Sequence, residues 1–426
     1  MNLKRTNSFQ LDWMAVIIFT VLVIFGYFNI LSAAAAGEFI SYLDITKPYG
    51  KQLFFILSSV VLIILILSVD AKFYERFASI IYLGSILSLI GLFLLGKQIN
   101  GAISWYDFGG MTLQPSEFAK FATALALAKY ISDLQTNIKE QKDQIRAAIL
   151  VVIPAGLILL QNDAGSTLVF GSLFFVFYRE GIPQYYLLFA VFVAFLGIAT
   201  LKFSAISVSI VLSGVLLMYQ LFFKRKKKKF KGVFTILICS IGLCLGVQWA
   251  YNNVLQNHQK DRIGLWLRLE KDPNKLQAMK RNISYNLNES EKAIRSGGTF
   301  GKGFMDGTRT KGNFVPEQHT DYIFSTVGEE WGFFGSSAVV LLFVLLILRI
   351  VYLSEQQKSQ FSRVYGYSVA SILFAHFLIN IGMVMGLIPT IGIPLPFFSY
   401  GGSGLWGFTI LVFIFLKLDS NRLNEW

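Results

Sequence analysis

Charge is what this sequence has least of. Only 15% of its 426 residues are Asp, Glu, Lys or Arg, against about 25% in soluble globular chains, and no stretch is polar for long enough to form a water-soluble domain of ordinary size. Cysteine is scarce as well. Cys239 and Cys244 stand in one apolar run, five positions apart and therefore on different helix faces, which argues against a structural disulfide. His258, His319 and His376 are scattered and show no zinc-ligand spacing. No tightly bound metal or cofactor is expected.

What the chain has instead is apolar length. Hydrophobic residues make up 54% of it and Phe alone accounts for 40 positions. They fall in runs of about 18 to 22 residues, each enough to cross roughly 30 Å of hydrocarbon as a helix. The net charge of +13 belongs to no water-exposed basic domain, so nucleic acid is not expected as a partner. Lys and Arg gather in alternate short loops, the asymmetry that orients a chain during insertion.

Spans are expected near residues 13–34, 52–69, 77–96, 115–132, 147–160, 165–178, 186–203, 205–223, 233–249, 332–352, 364–385 and 404–418. The first follows Lys4 and Arg5 and ends in alanines, as a secretory signal does. Its apolar stretch exceeds the roughly 7–15 residues of a signal core and further spans follow, so an uncleaved first span with a cytoplasmic N-terminus is expected. Lys72 and Arg76, then Lys139, Lys142 and Arg146, then Arg179, then the block from Lys224 to Lys231 mark the inside. The polar stretch 251–330 then lies outside, and Arg349, Lys358, Arg363, Lys417 and Arg422 return the C-terminus to the cytoplasm. The expected fold is an all-α, polytopic membrane bundle with one large external loop.

Four polar segments interrupt this pattern. Gln114 to Lys120 reads QPSEFAK and opens a span with proline in its first turn. Glu117 and Lys120 share a face, as a structural ion pair or with Lys120 taking an anionic head group. QNDAGSTLVF from Gln161 breaks two spans, with Asp163 read as a helix N-cap rather than an acid. SGGTFGKG, Ser296 to Gly303, superficially suggests a phosphate loop but lacks the required glycine at Ser296 and the hydroxyl residue after Lys302. It reads as a flexible turn, or as amides that with Lys302 meet a pyrophosphate. In VPEQHTDYIFSTVGEEWGFFG, Glu317, His319 and Asp321 share a side if extended. Glu329 and Glu330 read as helix-end pairing or function, and Asp321 as functional. From Asn380 to Gly404, NIGMVMGLIPTIGIPLPFFSYGGSG supplies Pro and Gly between two spans and reads as a re-entrant or external loop.

In this order, with GAISWYDFGGMT ahead of QPSEFAK, these segments resemble the SEDS family of polytopic cell-wall proteins over nearly the whole chain. The stretch Ile393 to Phe397 is similar to its elongation (RodA) branch rather than its division (FtsW) branch. The resemblance implies a peptidoglycan glycosyltransferase of the cytoplasmic membrane. Such an enzyme polymerises lipid II at the outer face during elongation, beside a class B penicillin-binding protein and the elongation machinery. It implies Asp321 as the catalytic position, and Trp105, Ser399, Gly401 and Gly402 in its motifs as substrate-binding candidates. Asn162 and Ala164 depart from the family pattern, and about twelve spans exceed its usual ten. The excess, 186–231, reads as an inserted helical pair, which leaves downstream orientation unchanged.

With no nucleotide site, energy must arrive in the substrate, as it does in a sugar linked to a lipid pyrophosphate. Asp321 would take a proton from the acceptor hydroxyl with inversion at the donor carbon. Lys120, Arg295 and Lys302 would meet the pyrophosphate, helped by a divalent cation, Mg or Mn, held by Asp321 and Glu317. His319 would orient Asp321 or the loop. A transporter flipping a lipid-linked sugar is the rival, and it predicts charges nearer the bilayer midplane. A non-catalytic scaffold is a third reading.

Overall fold

The computed structural model describes residues 10–35, 41–99, 101–223, 230–255, 257–269 and 285–422. The basic block at 224–229 and the N-terminal Lys4 and Arg5 lie outside the described residues.

All twelve apolar runs are helical. The elements are α1 (Trp13–Ala35), α2 (Pro48–Ser68), α3 (Ala71–Leu95), β1 (Lys97–Ile99), β2 (Ala102–Asp107), β3 (Thr112–Leu113), α4 (Pro115–Ile131), α5 (Gln141–Leu160), α6 (Ala164–Phe170) and α7 (Phe174–Arg179). They continue as α8 (Tyr185–Phe203), α9 (Ala205–Phe223), α10 (Phe230–Asn253), α11 (Asn257–Trp266), α12 (Tyr285–Gly297), α13 (Thr308–Lys311), α14 (Ile323–Glu355), α15 (Gln360–Val384) and α16 (Gly402–Ser420). Among the described residues nine helices are long and apolar enough to cross a membrane, and α9 and the broken α6–α7 run are shorter apolar helices. The chain is a multi-pass membrane protein of helical-bundle type.

Several helices begin earlier than expected, three of them for visible reasons. Pro48 starts α2 ahead of residue 52, since its missing N–H costs nothing in a first turn. Asp70 caps α3 by accepting from the Lys72 amide, so that helix begins at Ala71 rather than 77. α14 starts at Ile323, well before 332, and is interrupted at Gly332 (φ 62, ψ −155), where its membrane portion begins. The stretch 251–330 is therefore no open loop: α11, α12, α13 and the start of α14 occupy much of it.

The bundle also carries a small antiparallel sheet in the order β1-β2-β3 that apolar periodicity did not predict. Tyr106 pairs with Leu113 across a turn made by Gly109 and Gly110, both at positive φ. The Tyr106 hydroxyl donates to the Ser88 carbonyl at 2.8 Å, fixing the sheet on α3.

Two compact units divide the chain, residues 1–182 with 286–426, and residues 183–285. In the first, α4, α15 and α16 pack on one another, with α2 against α16 and α1 against α14. α15 and α16 are mostly buried in protein, whereas α2, α3 and α5 leave apolar faces outward, as lipid-facing helices do. Between α15 and α16 the later part of the non-helical segment 385–401 is buried too: Ile393, Leu395, Phe397 and Phe398 are almost inaccessible, whereas Met385 and Leu387 are exposed. Irregular backbone survives at membrane depth only where protein or a wet cavity covers it. The second unit is held by Leu196, Ala205 and Cys244, with Gln248 capping the Ala205 amide at 3.0 Å.

Candidate active site

The site is built around the first turn of α4. The Gln114 side chain donates to Asp163 at 3.1 Å, and Asp163 caps α6 by accepting from the Ser166 amide. The Gln114 amide donates to the Ser403 hydroxyl at 3.1 Å. Helix α4 is thereby tied to α6 and α16 before its polar residues appear.

Glu117 and Lys120 follow, three apart on one face, with Nζ to Oε1 at 2.6 Å and only 4% and 2% exposure. A buried ion pair persists only if its remaining protons are also satisfied. Here the ammonium stands 2.8 Å from His376 Nε2 on α15 and 5.1 Å from the centre of the Phe408 ring. His376 Nδ1 is 3.1 Å from the Pro394 carbonyl. A carbonyl only accepts, so Nδ1 carries the ring proton and Nε2 accepts from Lys120. Glu117 Oε2 is buried and has no protein partner among the described residues.

Above this pair lies a cavity of about 330 Å³. Glu117 lines it, as do Trp105, Ser399, Gly401 and Gly402, so five of the sequence candidates converge here. Phe55, Phe397, Tyr400 and Phe408 make the walls aromatic, and Lys51 contributes a cation that the sequence reading missed. Ser399 shapes the wall by accepting from the Leu395 amide at 2.9 Å, and the Gly401 amide donates to Gln52 at 3.1 Å. Gly401 has φ 151 and a Cβ at Gly402 would strike the Phe55 ring at 2.7 Å, so both positions favour glycine. Phe397, at φ 64 with 2% exposure, holds an uncommon left-handed conformation in the same wall.

Asp321 adjoins the cavity without lining it: its neighbour Thr320 is a lining residue and Asp321 is not. The segment is not the extended strand that would put Glu317, His319 and Asp321 on one side. It is a series of turns in which the Thr320 and Tyr322 amides both donate to the Glu317 carbonyl. The cause is anchoring at several points. Gln318 donates to the Ala33 carbonyl at 2.7 Å, the Tyr400 amide donates to the His319 carbonyl at 2.9 Å, and Asn380 donates to the Asp321 carbonyl at 2.8 Å. The half-buried Asp321 carboxylate faces Gly392, where an added Cβ would come within 3.1 Å of Oδ2 and φ is already 82. Burial holds the His319 imidazole below its ordinary pKa, with Glu317 opposing more weakly, so its ring, 5.5 Å from that of Tyr400, is neutral at neutral pH.

Arg295 and Lys302 do not line this cavity. Arg295 is exposed on α12 with Glu291 at 3.6 Å. Lys302 donates to Glu329 at 2.8 Å and to Thr308 at 2.7 Å. Nor is SGGTFGKG a flexible turn. A Cβ at Gly297 would stand 2.0 Å from the Gly328 carbonyl oxygen, and one at Gly301 2.1 Å from that of Glu330. A Cβ at Gly332 would lie 2.3 Å from the Gly301 amide. The Lys302 and Gly303 amides donate to the Glu329 and Glu330 carbonyls, each at 3.0 Å, so both are spent on α14.

His376 and Asn380 are functional candidates that sequence reasoning passed over. Polar residues four apart in an apolar span were the available signal. Among the described residues no three His, Cys, Asp or Glu side chains assemble as a metal site. Glu317 and Asp321 are the carboxylates that would hold a divalent cation brought by a substrate, since Mg keeps most of its waters and binds through one or two carboxylates with substrate phosphates.

Comparison with known proteins accounts for this arrangement. The family model for FtsW, RodA and SpoVE, described as cell cycle protein, matches residues 12–224 and 207–424. A peptidoglycan glycosyltransferase RodA of Treponema pallidum (strain Nichols) is 30% identical over 89% of this chain and 91% of its own. Peptidoglycan glycosyltransferase MrdB of Escherichia coli (strain K12) is 28% identical over 94% and 92%. Among solved structures, a chain from a peptidoglycan synthase complex that coordinates polymerization and crosslinking superposes with a TM-score of 0.70 at 24% identity, over 97% of this chain and 99% of that one. The rod shape determining protein RodA of Thermus thermophilus gives 0.62 at 23%, over 98% and 100%. The helical scaffold is thus shared along nearly the full length, and the chain belongs to the FtsW/RodA/SpoVE family of cell cycle proteins.

Proposed function

We propose that this protein is a peptidoglycan glycosyltransferase that polymerises lipid II into glycan strands, with Asp321 as general base. One observation carries the reading: the Asp321 turn and the buried Lys120 pair are both bonded, through α15, to the segment 392–401 that walls the cavity. A segment that lines the aromatic pocket is therefore tied to the Asp321 backbone on one side and to the Glu117–Lys120 ion pair on the other, with Lys51 as the cation on the lining, the kinds of group that a reaction between a sugar hydroxyl and a sugar pyrophosphate uses.

In this reading Asp321 accepts the proton of the acceptor hydroxyl as its oxygen attacks the donor anomeric carbon. The bond from that carbon to the pyrophosphate oxygen breaks, with inversion, and the lipid pyrophosphate leaves. Lys51 at the rim supplies positive charge to the departing group, since Lys120 is already held by Glu117 and His376. A divalent cation arriving with the pyrophosphate would be held by Asp321 and Glu317 and would neutralise charge there. Phe55, Trp105, Tyr400 and Phe408 present apolar faces to the sugar rings and exclude water.

The cavity belongs at the outer face of the cytoplasmic membrane, with both termini cytoplasmic. Supporting this orientation, the ends of helices assigned to the inside carry cross-helix ion pairs, Arg179 with Glu355, Arg363 with Glu180 and Arg349 with Asp12. A class B penicillin-binding protein and the elongation machinery are the proposed partners, in keeping with the neighbour drawn from a synthase complex. The test is polymer formation from purified lipid II by the reconstituted protein with its transpeptidase, wild type against Asp321→Asn. Loss of polymer with folding and partner binding intact supports the assignment. Equal polymer from both removes Asp321, and none from wild type across metal conditions favours lipid transport or a scaffold.

A further inference from the structure

We infer that His376 and Asn380 are positioning residues that set the spacing between Lys120 and Asp321 by gripping two successive carbonyls of one segment, Ile393 and Pro394. The inference rests on Asp321 being the base.

Both side chains are essentially inaccessible, at 1% and 0% exposure, and stand one turn apart on α15. His376 donates from Nδ1 to the Pro394 carbonyl at 3.1 Å and accepts from Lys120 at 2.8 Å. Asn380 spends both amide protons on carbonyls, Ile393 at 2.7 Å and Asp321 at 2.8 Å. The result is an unbroken path from Lys120 through His376, the Ile393–Pro394 peptide and Asn380 to Asp321. Around the two gripped residues the backbone has little stiffness of its own, since Pro394 donates nothing and Gly392 beside Asp321 has a left-handed φ of 82; other bonds of the segment, such as those from the Ser399 amide to the Leu395 carbonyl, the Tyr400 amide to the His319 carbonyl and the Gly401 amide to Gln52, lie further along it.

The amide orientation follows from the same chemistry. Turning Asn380 over would aim its oxygen at two carbonyl oxygens, so Nδ2 must face them and Oδ1 is left buried without a partner among the described residues. An orphaned acceptor costs stability. Two donors on two chain segments from one side chain are what that cost secures. A hydrophobic residue of like size would pack as well here and would hold neither carbonyl.

The experiment measures initial polymerisation rates over a range of lipid II with the full chain reconstituted beside its transpeptidase. It compares wild type, Asp321→Asn, Asn380→Ser, Asn380→Asp, His376→Leu and His376→Asn, with rates expressed per folded molecule. Misplacing reacting groups by an ångström lowers the chemical rate far more than binding, so Asn380→Ser and Asn380→Asp are expected to lose about tenfold or more in kcat with KM little changed. His376→Asn, which keeps a donor where Nδ1 stood, is expected to restore much of what His376→Leu loses. Unchanged kcat per folded molecule in either Asn380 variant, with Asp321→Asn inactive, overturns this inference alone. An active Asp321→Asn overturns the catalytic assignment beneath it. Equal loss in His376→Leu and His376→Asn removes the Pro394 grip. If one Asn380 variant does not fold, the other carries the same comparison.

Discussion

The Lys302 ammonium stands 2.8 Å from Oε1 of Glu329, a carboxylate with no solvent exposure at all. Glu329 also accepts from the Arg309 amide at 3.0 Å and from the Thr310 amide and hydroxyl, each at 2.8 Å. The carboxylate is a hub that fixes the chain from 302 to 310 on α14. Lys302→Met should therefore destabilise by about 3 kcal/mol, the low end for breaking a buried pair because Lys302 is partly exposed. Adding Glu329→Gln should return part of the loss. Thermal unfolding in detergent measures both; a pyrophosphate role for Lys302 would instead leave stability intact and raise KM.

Gly297 and Gly301 face the stretch from Gly328 to Gly332, the glycines standing four residues apart in each segment, and Cβ atoms added at Gly297, Gly301 or Gly332 meet backbone rather than movable side chains. Gly301→Ala should cost about 1–3 kcal/mol from overpacking, with its φ of 81 adding strain. Gly298→Ala is the control, since nothing lies near its Cβ although φ is 59, so only backbone strain acts. Unfolding midpoints should fall in the order wild type, Gly298→Ala, Gly301→Ala.

These glycines mark where the sequence misleads. Their local spacing resembles a phosphate loop, and the matching spacing that explains them lies some thirty residues on, visible only when both segments are compared. Apolar length identified every bundle helix, because lipid demands it of each span separately. It left the sheet over Trp105 unseen, since such short strands carry no period. Glu117 and Lys120 were legible as a pair because helix geometry alone joins positions three apart. His376, the other partner of Lys120, stands 256 residues from it in sequence, and only packing brings them together.

Lys120→Met should leave Glu117 buried with neither oxygen paired, a loss of about 3–5 kcal/mol. Glu117→Gln with Lys120→Met should recover much of that stability, since two neutral groups need no counter-charge. Polymerisation should not recover if the pair also sets the electrostatics of the cavity floor. Recovery of both in the double variant would reduce the pair to a structural role. Unfolding and polymer yield measured on the same preparations separate the outcomes.

His319 gives a pH dependence with a definite sign. Burial is the dominant cause and places its folded pKa below the unfolded value of about 6.5, so the unfolded chain binds the proton more readily. Its contribution to stability is present above pH 6.5 and is lost as pH falls below it. Wild type should lose more stability between pH 8 and pH 5.5 than His319→Gln, which has no proton to take up there. Parallel curves would show that His319 titrates alike in both states.

Glu317 offers a way to read the divalent cation apart from the base. Its carboxylate already accepts from the Thr320 hydroxyl at 2.9 Å, so the side chain is held in place, and it lies one turn from Asp321. Asp321→Asn removes base and ligand together and cannot distinguish them. Glu317→Gln removes one carboxylate oxygen charge and leaves the base, so a cation shared by the two should bind more weakly. The expected result is a higher Mg or Mn concentration for half-maximal polymerisation, with the rate at saturating metal falling less than it does in Asp321→Asn. An unchanged metal requirement would take Glu317 out of any cation site. An equal loss at every metal concentration would make it part of the proton-transfer machinery.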